Sequence, residues 1–156
     1  MLQHGKKRKS ISERSLSCDE KGIYTREKLI KKKKNALILY WSKTGNTEKV
    51  ANAIKKGLEE MSIKVLVERP EEADNVDYFD YELVCIGAPS YSVGKYIRRF
   101  FEHLGFNVLD EWYILSEFHG SLENSVKGKM GDIRGKPTSE DLEKVRENTK
   151  RVANLL

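Results

Sequence analysis

The feature that most constrains the fold is an unbroken apolar run that leads directly into a polar turn. Residues 36–41 read ALILYW, which is typical of a strand buried on both faces of a sheet. Residues 42–47 read SKTGNT and are rich in turn and helix-capping types. Beyond them apolar residues recur at helical spacing, namely Val50, Ala51, Ile54, Leu58 and Met61. The sequence therefore predicts a buried strand, a tight turn and a helix in succession.

The same alternation continues along the chain. Further strands are predicted over residues 62–67, 83–86 and within 106–118, and a long loop over 119–137. Two more helices are predicted from apolar stripes, one over residues 96–104 and one that begins at the capping residues 138–141. Strands that alternate with helices indicate βαβ units and a mainly parallel sheet, so the fold class is α/β.

Charge divides the chain into two parts. Residues 1–34 contain 12 of the 29 basic residues and 4 of the 24 acidic ones, whereas residues 35–156 contain 17 basic and 20 acidic residues. The first part has few large apolar side chains, so we expect a disordered, basic flexible tail over 1–34 and one folded domain over 35–156. A solvated tail is favoured over an arm that binds nucleic acid or an anionic membrane, and no specific nucleic-acid partner is predicted.

Composition excludes several classes of protein. No apolar stretch approaches the roughly 18 residues that a membrane-spanning helix needs, so no transmembrane segment is predicted. Two cysteines, Cys18 and Cys85, are too few for a disulfide scaffold, and with only three histidines they argue against a zinc cluster. We expect a reducing, cytoplasmic setting. No spacing of nucleophiles, acids or bases identifies a catalytic residue.

The turn at residues 42–47 has the chemistry of a phosphate-binding loop. It precedes a helix, whose N-terminal N–H groups and dipole favour an anion. Hydroxyl groups at positions 42, 44 and 47 add donors, and Gly45 allows the main chain to approach closely. The spacing matches neither GxxxxGK[ST] nor GxGxxG, which disfavours a nucleoside triphosphatase and a dinucleotide-binding fold. The turn therefore predicts a phosphate site built from neutral donors.

Three motifs resemble the flavodoxin family. Residues 36–53, ALILYWSKTGNTEKVANA, are similar to its first strand, phosphate loop and first helix, including the loop pattern [ST]-x-T-G-[NT]-T. Residues 87–91, GAPSY, are similar to its G-[SA]-P-[ST]-Y turn, and residues 131–137 with the following helix resemble its C-terminal end. The resemblance covers nearly all of 35–156 and implies a flavodoxin-like three-layer sandwich.

The resemblance also implies a cofactor and its contacts. The phosphate of FMN would be held by Ser42, Lys43, Thr44, Gly45, Asn46 and Thr47. The isoalloxazine ring would be lined by Pro89, Ser90, Tyr91 and Ser92. Tyr91 would stack on the ring, because an aromatic face supplies a flat apolar wall. Flavodoxins often have a tryptophan at the next position, where this chain has Ser92.

The chain is shorter than the family pattern after Tyr91. Residues 95–118 most resemble the family's fourth helix and fifth strand, so its third helix, fourth strand and second flavin loop are predicted to be missing. Four parallel strands in the order 2-1-3-5 would remain. An alternative assignment makes residues 95–118 the family's third helix and fourth strand, and residues 127–133 its fifth strand. Its crossover, residues 119–126, is shorter than the dozen or more residues that parallel connections usually take.

By resemblance, the expected function is electron transfer between redox partner proteins by an FMN-binding domain, rather than enzymatic turnover. The mildly acidic domain suits encounter with a basic partner. Two alternatives remain: an FMN-dependent reductase of a small substrate, and a degenerate domain that no longer binds flavin tightly. Under the alternative assignment of residues 95–118, His119 could approach the flavin. The sequence does not predict an oligomeric state.

Overall fold

The fold is organised around one sheet. The computed structural model describes residues 1–4, 34–89 and 91–156. The described strands are β1 (Leu2–His4), β2 (Asn35–Tyr40), β3 (Lys64–Glu68), β4 (Leu83–Gly87) and β5 (Phe106–Val108), and the described α-helices are α1 (Asn46–Glu60), α2 (Tyr91–His103), α3 (Leu122–Lys127) and α4 (Ser139–Ala153). The strand order is β3-β2-β4-β1-β5. Strand β2 is parallel to β3 and β4, whereas β1 is antiparallel to β4 and β5.

Strand β2 is buried on both faces, as its apolar sequence predicts. Ala36 and Ile38 belong to a core cluster on the face that carries α1, whereas Leu37 and Leu39 belong to a cluster on the other face. In the parallel register with β4, Ile38 pairs with Cys85, whose side chain is also buried. Burial raises the pKa of the Cys85 thiol to about 12, so this residue stays protonated at neutral pH and acts as a small core residue.

Helices α1 and α4 cover one face of the sheet and pack against each other. Their close approach depends on Gly57, because a Cβ atom there would lie 2.8 Å from the main-chain oxygen of Arg146. Helix α4 begins with the capping box that its sequence predicts, in which Thr138 and Asp141 satisfy each other's main-chain N–H groups. Val152 and Ala153 near the end of α4 are buried in the core cluster of this face.

Helix α2 lies on the opposite face and completes a three-layer sandwich. Its Phe101 packs edge-on against Phe106 of β5, with ring centroids 5.3 Å apart. Between β3 and β4 the chain forms two short 3₁₀ helices, Pro70–Glu72 and Tyr78–Asp80, and Tyr78 also contacts Phe101. The described helices include none with the length and apolar character that crossing a membrane requires.

The four parallel strands follow the predicted order, but an additional strand lies among them. Residues Leu2–His4, which the sequence assigned to a flexible tail, form β1 between β4 and β5. Leu2 pairs with Val84 on one side and with Val108 on the other. Strand β1 thus separates β4 from β5, which the sequence predicts as neighbours, and β5 occupies the fifth position in the sheet. The rest of the predicted tail, residues 5–33, lies outside the described residues.

Two segments after α2 differ from the sequence-based prediction. The strand predicted within residues 106–118 ends at Val108, and residues 109–118 are irregular. The loop predicted over 119–137 contains α3, which begins where the Ser121 side chain accepts a hydrogen bond from the Asn124 N–H. The alternative strand over 127–133 is not formed; residues 128–133 are bends, turns and irregular chain.

Candidate functional site

The predicted phosphate loop, residues 42–47, lies at the carboxyl end of β2 and leads into α1. Gly45 has φ +85°, a left-handed conformation that disfavours any residue with a Cβ atom. Its N–H donates to the Ser42 Oγ over 3.0 Å, which closes the turn. The Ser42 hydroxyl keeps its own proton for donation, because a hydroxyl can accept and donate at once.

The first turn of α1 presents free donors toward this loop. Lys49 N–H makes the first intrahelical hydrogen bond, to the Gly45 oxygen at 3.0 Å. Within the described ranges, the main-chain N–H groups of Asn46, Thr47 and Glu48 have no acceptor, as expected for the start of a helix. The hydroxyls of Thr44 and Thr47 likewise make no hydrogen bond to a described residue. The loop therefore offers several uncharged donors to an anion.

The phosphate loop and the second predicted motif touch each other. Gly87, the last residue of β4, accepts a hydrogen bond from the Trp41 N–H over 3.1 Å. The methyl group of Thr47 lies against Gly87, since a Cβ atom built there would be 2.9 Å from Thr47 Cγ2. The two motifs that the sequence singled out are thus brought together at one edge of the sheet, as parallel strand ends predict.

Asn46 has a role that the sequence does not reveal. Its side chain is buried, and its Nδ2 donates to the Glu117 oxygen at 3.2 Å and lies 3.4 Å from His119 Nε2. The amide therefore fixes residues 117–119 beside the phosphate loop, and what Asn46 retains for an anion is its main-chain N–H. A contact across 71 residues has no local sequence signal.

The charges around the loop are few and lie on its rim. Lys43 is exposed, and Lys49 reaches the Asn46 Oδ1 at 3.4 Å. Glu48 in the first turn of α1 lies 3.8 Å from Arg69, which partly offsets its charge near the helix N-terminus. Neutral donors therefore dominate the loop itself.

A cleft of about 350 Å³ opens beside the second motif. One part of its lining comes from the end of β4 and from α2, including Ala88, Pro89 and Ile97. The other part comes from residues 110–115, which follow β5. Of the predicted ring-lining residues, Pro89 lines the cleft and Tyr91 and Ser92 begin α2, their side chains falling outside the described part. Ser90 also lies outside it.

Hydrogen bonds hold the lining that follows β5. The Tyr113 hydroxyl donates to Glu111 Oε1 over 2.7 Å, and Arg98 of α2 donates to Glu111 Oε2 over 2.9 Å. The hydrogen bond from Tyr113 and the charge of Arg98 lower the pKa of Glu111, so this carboxylate is ionised at neutral pH. Arg98 also donates to Glu102 one turn further along α2.

The donor set and the cleft fit the two ends of FMN. The unpartnered N–H and hydroxyl groups suit a phosphate monoester, and the aliphatic and aromatic side chains that line part of the cleft beside Pro89 suit a flat ring. Gly87 and Ala88 connect the two regions along the chain, so one elongated molecule could contact both.

Comparisons with known proteins found similarity to flavodoxins in sequence and in fold. The family model described as Flavodoxin matches residues 38–96. A solved structure described as a flavodoxin from the domain Archaea shares the fold, with a TM-score of 0.51, 18% sequence identity and coverage of 78% of this chain and 97% of the other. No curated protein matches the chain in sequence. The chain is therefore similar to flavodoxins over residues 38–96 and shares the fold of the archaeal flavodoxin structure.

Proposed function

We propose that this protein binds FMN and carries electrons between redox partner proteins in a reducing, cytoplasmic setting. The observation that carries the proposal is the set of free N–H groups at the start of α1, next to the hydroxyls of Thr44 and Thr47. A phosphate monoester placed there would receive hydrogen bonds from the main chain and side chains and would meet the positive end of the helix dipole.

The redox chemistry would be that of the flavin, which exchanges electrons and protons when bound. The chain would position it: residues 42–47 would hold the phosphate, and the cleft beside Pro89 would take the ring. The excess of acidic residues over 35–156 supports docking to basic partners.

A second candidate has one observation in its favour. The position of the missing strand is occupied by β1, which has three residues and runs antiparallel to its neighbours. A domain altered in this way could have kept its fold and lost tight flavin binding, and would then serve as an interaction module.

An FMN titration, monitored by the quenching of flavin fluorescence, distinguishes the electron carrier from the interaction module. The wild-type chain should bind FMN, and the double variant Thr44→Val, Thr47→Val should bind at least about a hundredfold more weakly. Each hydroxyl that donates to a charged acceptor contributes about 1.5–3 kcal/mol, and 1.4 kcal/mol is tenfold in affinity. Valine keeps the methyl group that contacts Gly87.

Two controls isolate the phosphate contact. Riboflavin, which has no phosphate, should bind the wild type and the double variant alike. Ser139→Ala removes a hydroxyl from the first turn of α4, away from the loop, and should leave FMN affinity unchanged. Equal FMN affinity in the double variant and the wild type would contradict the phosphate site, and a wild-type chain that leaves FMN fluorescence unaltered would favour the interaction module.

A further inference from the structure

We propose that the outer side of α2, together with the chain between β3 and β4, is a surface through which two copies of this protein associate around a twofold axis. The proposal does not depend on flavin binding. It rests on two neighbouring features, a pair of exposed aromatic rings and a row of acidic residues. We call Tyr96 and Phe100 the aromatic ridge and residues 68–82 the acidic strip.

The aromatic ridge is the first argument. Tyr96 is 75% exposed and Phe100 is 55% exposed, and their spacing of four residues places them next to each other along α2. Both lie about 200° around the helix from Arg98, which binds Glu111 beside the cleft. Neither ring of the ridge lines that cleft. Adjacent aromatic rings that face solvent are typical of a surface that binds another protein.

The cover on this face of the sheet explains why the ridge is exposed. The other face carries α1 and α4, each of 15 residues. On the face that carries α2, the acidic strip contributes two 3₁₀ helices of three residues each. Phe100 and Tyr78 of the strip both contact the buried ring of Phe101, at centroid distances of 5.3 and 5.5 Å. The ridge and the strip therefore lie side by side, and the ridge is left uncovered.

The acidic strip carries most of the charge of this surface. It contains seven acidic residues and one basic residue, Arg69, which already lies 3.8 Å from Glu48 of α1. Three exposed carboxylates of the strip have no ion pair with a described residue, namely Glu71, Asp74 and Asp80. These carboxylates are therefore open to a cation on another molecule.

Helix α2 carries the opposite charge. It contains three basic residues and one acidic residue, Glu102, which is bound by Arg98. Arg99 stands next to the ridge, is exposed and makes no ion pair within the described part of the chain. A twofold rotation about an axis between α2 and the strip places α2 of each copy over the strip of the other. The surface is therefore complementary to itself, which favours a second copy over an unrelated partner.

Sedimentation equilibrium of the full-length chain tests the association. Over roughly 1–500 μM, the range suited to a small interface, the wild type should approach twice the 18.0 kDa of one chain, and added salt should weaken the association. Tyr96→Ser should raise the dissociation constant at least about tenfold, because exposed aromatic residues become central contacts of an interface. Leu155→Ser, at a residue that is 62% exposed beyond α4, is the matched control and should associate as the wild type does.

An exchange of charges tests the twofold arrangement. Arg99→Glu places like charges opposite each other at two symmetric contacts, and so does the double variant Asp74→Lys, Asp80→Lys. Each should associate at least about tenfold more weakly than the wild type. An equimolar mixture of the two should associate again, because both contacts then join opposite charges. Lys56→Glu, at an exposed position of α1, is the charge control and should match the wild type.

Three results would overturn the proposal. The first is a wild type that keeps the mass of one chain over the whole range. The second is a dimer that Tyr96→Ser and Arg99→Glu both leave unchanged, because the two copies would then associate through another surface. The third is a mixture of the two charge variants that associates no better than either alone. Equal thermal midpoints for the variants and the wild type would show that the losses do not come from unfolding.

Discussion

The contact between Gly87 and Thr47 gives a sharp test of how the two motifs are joined. A Cβ atom at Gly87 would lie 2.9 Å from Thr47 Cγ2 and 3.2 Å from Tyr40 Cβ, both closer than carbon atoms normally pack. Gly87→Ala therefore forces either the start of α1 or the end of β4 to move. Inserting one methyl group into a packed site costs about 1–3 kcal/mol.

Thr47→Ser provides the complementary change, because it removes the methyl group and keeps the hydroxyl. Alone it should cost no more than about 0.8 kcal/mol, the value of one buried methyl group. When Gly87→Ala and Thr47→Ser are combined in a double variant, the contact with Thr47 is relieved and only the longer contact with Tyr40 remains. The loss of stability in the double variant should thus fall at least about 1 kcal/mol short of the sum of the single losses.

Urea unfolding, followed by circular dichroism, gives the free energy of unfolding of the wild type, the two single variants and the double variant. The coupling free energy between Gly87→Ala and Thr47→Ser follows from these four values. Gly94→Ala is a suitable control: a Cβ atom there meets nothing within 4 Å, so this variant should be at least as stable as the wild type. If the losses of stability for Gly87→Ala and Thr47→Ser add to within about 0.3–0.5 kcal/mol, the contact between the two residues is refuted. The connection between the two motifs would then be refuted with it.

Two further predictions concern the other parts of the fold. Gly57→Ala should lower the thermal midpoint of the protein, because the added Cβ would lie 2.8 Å from the main-chain oxygen of Arg146. This clash should outweigh the better helix propensity of alanine. A midpoint at or above that of the wild type would contradict the close packing of α1 against α4. The N–H of Thr138, with Lys136, lowers the pKa of Asp141 from 3.8 to about 2, so its ionised form stabilises the fold above the unfolded-state pKa. The thermal midpoint of the wild type should therefore exceed that of Asp141→Asn at pH 6, and this difference should shrink as the pH falls from about 4 to 2; a constant difference would contradict the capping role.

The elements that the sequence predicts well are those with strong local signals. Strand β2 is marked by an unbroken apolar run, α1 by a stripe of apolar residues, and α4 by its Thr138–Asp141 capping box. In each case neighbouring residues alone specify the element, so tertiary contacts reinforce a preference that already exists.

The elements that the sequence misses are short or depend on distant contacts. Helix α3 has six residues, too few for a helical period, and its only local sign is the capping residue Ser121. Strand β1 has three residues next to a basic segment, and it is formed by pairing with Val84 and Val108, more than 80 residues away. The bond from Asn46 to Glu117 is equally remote. Such features arise from the assembled sheet, and local propensity carries no information about them.

The direction of β1 bears on why residues 110–115, which follow β5, border the cleft. A parallel strand in its place would end at the carboxyl edge of the sheet and continue there into a loop beside the turn at residues 87–91. Strand β1 runs antiparallel, so it begins at that edge, where Met1 accepts the hydrogen bond from Leu109, and it leads away toward the opposite edge. It maintains the strand spacing of about 4.8 Å on each side. Among the described segments, the chain that follows β5 is therefore placed to line the cleft beside Pro89.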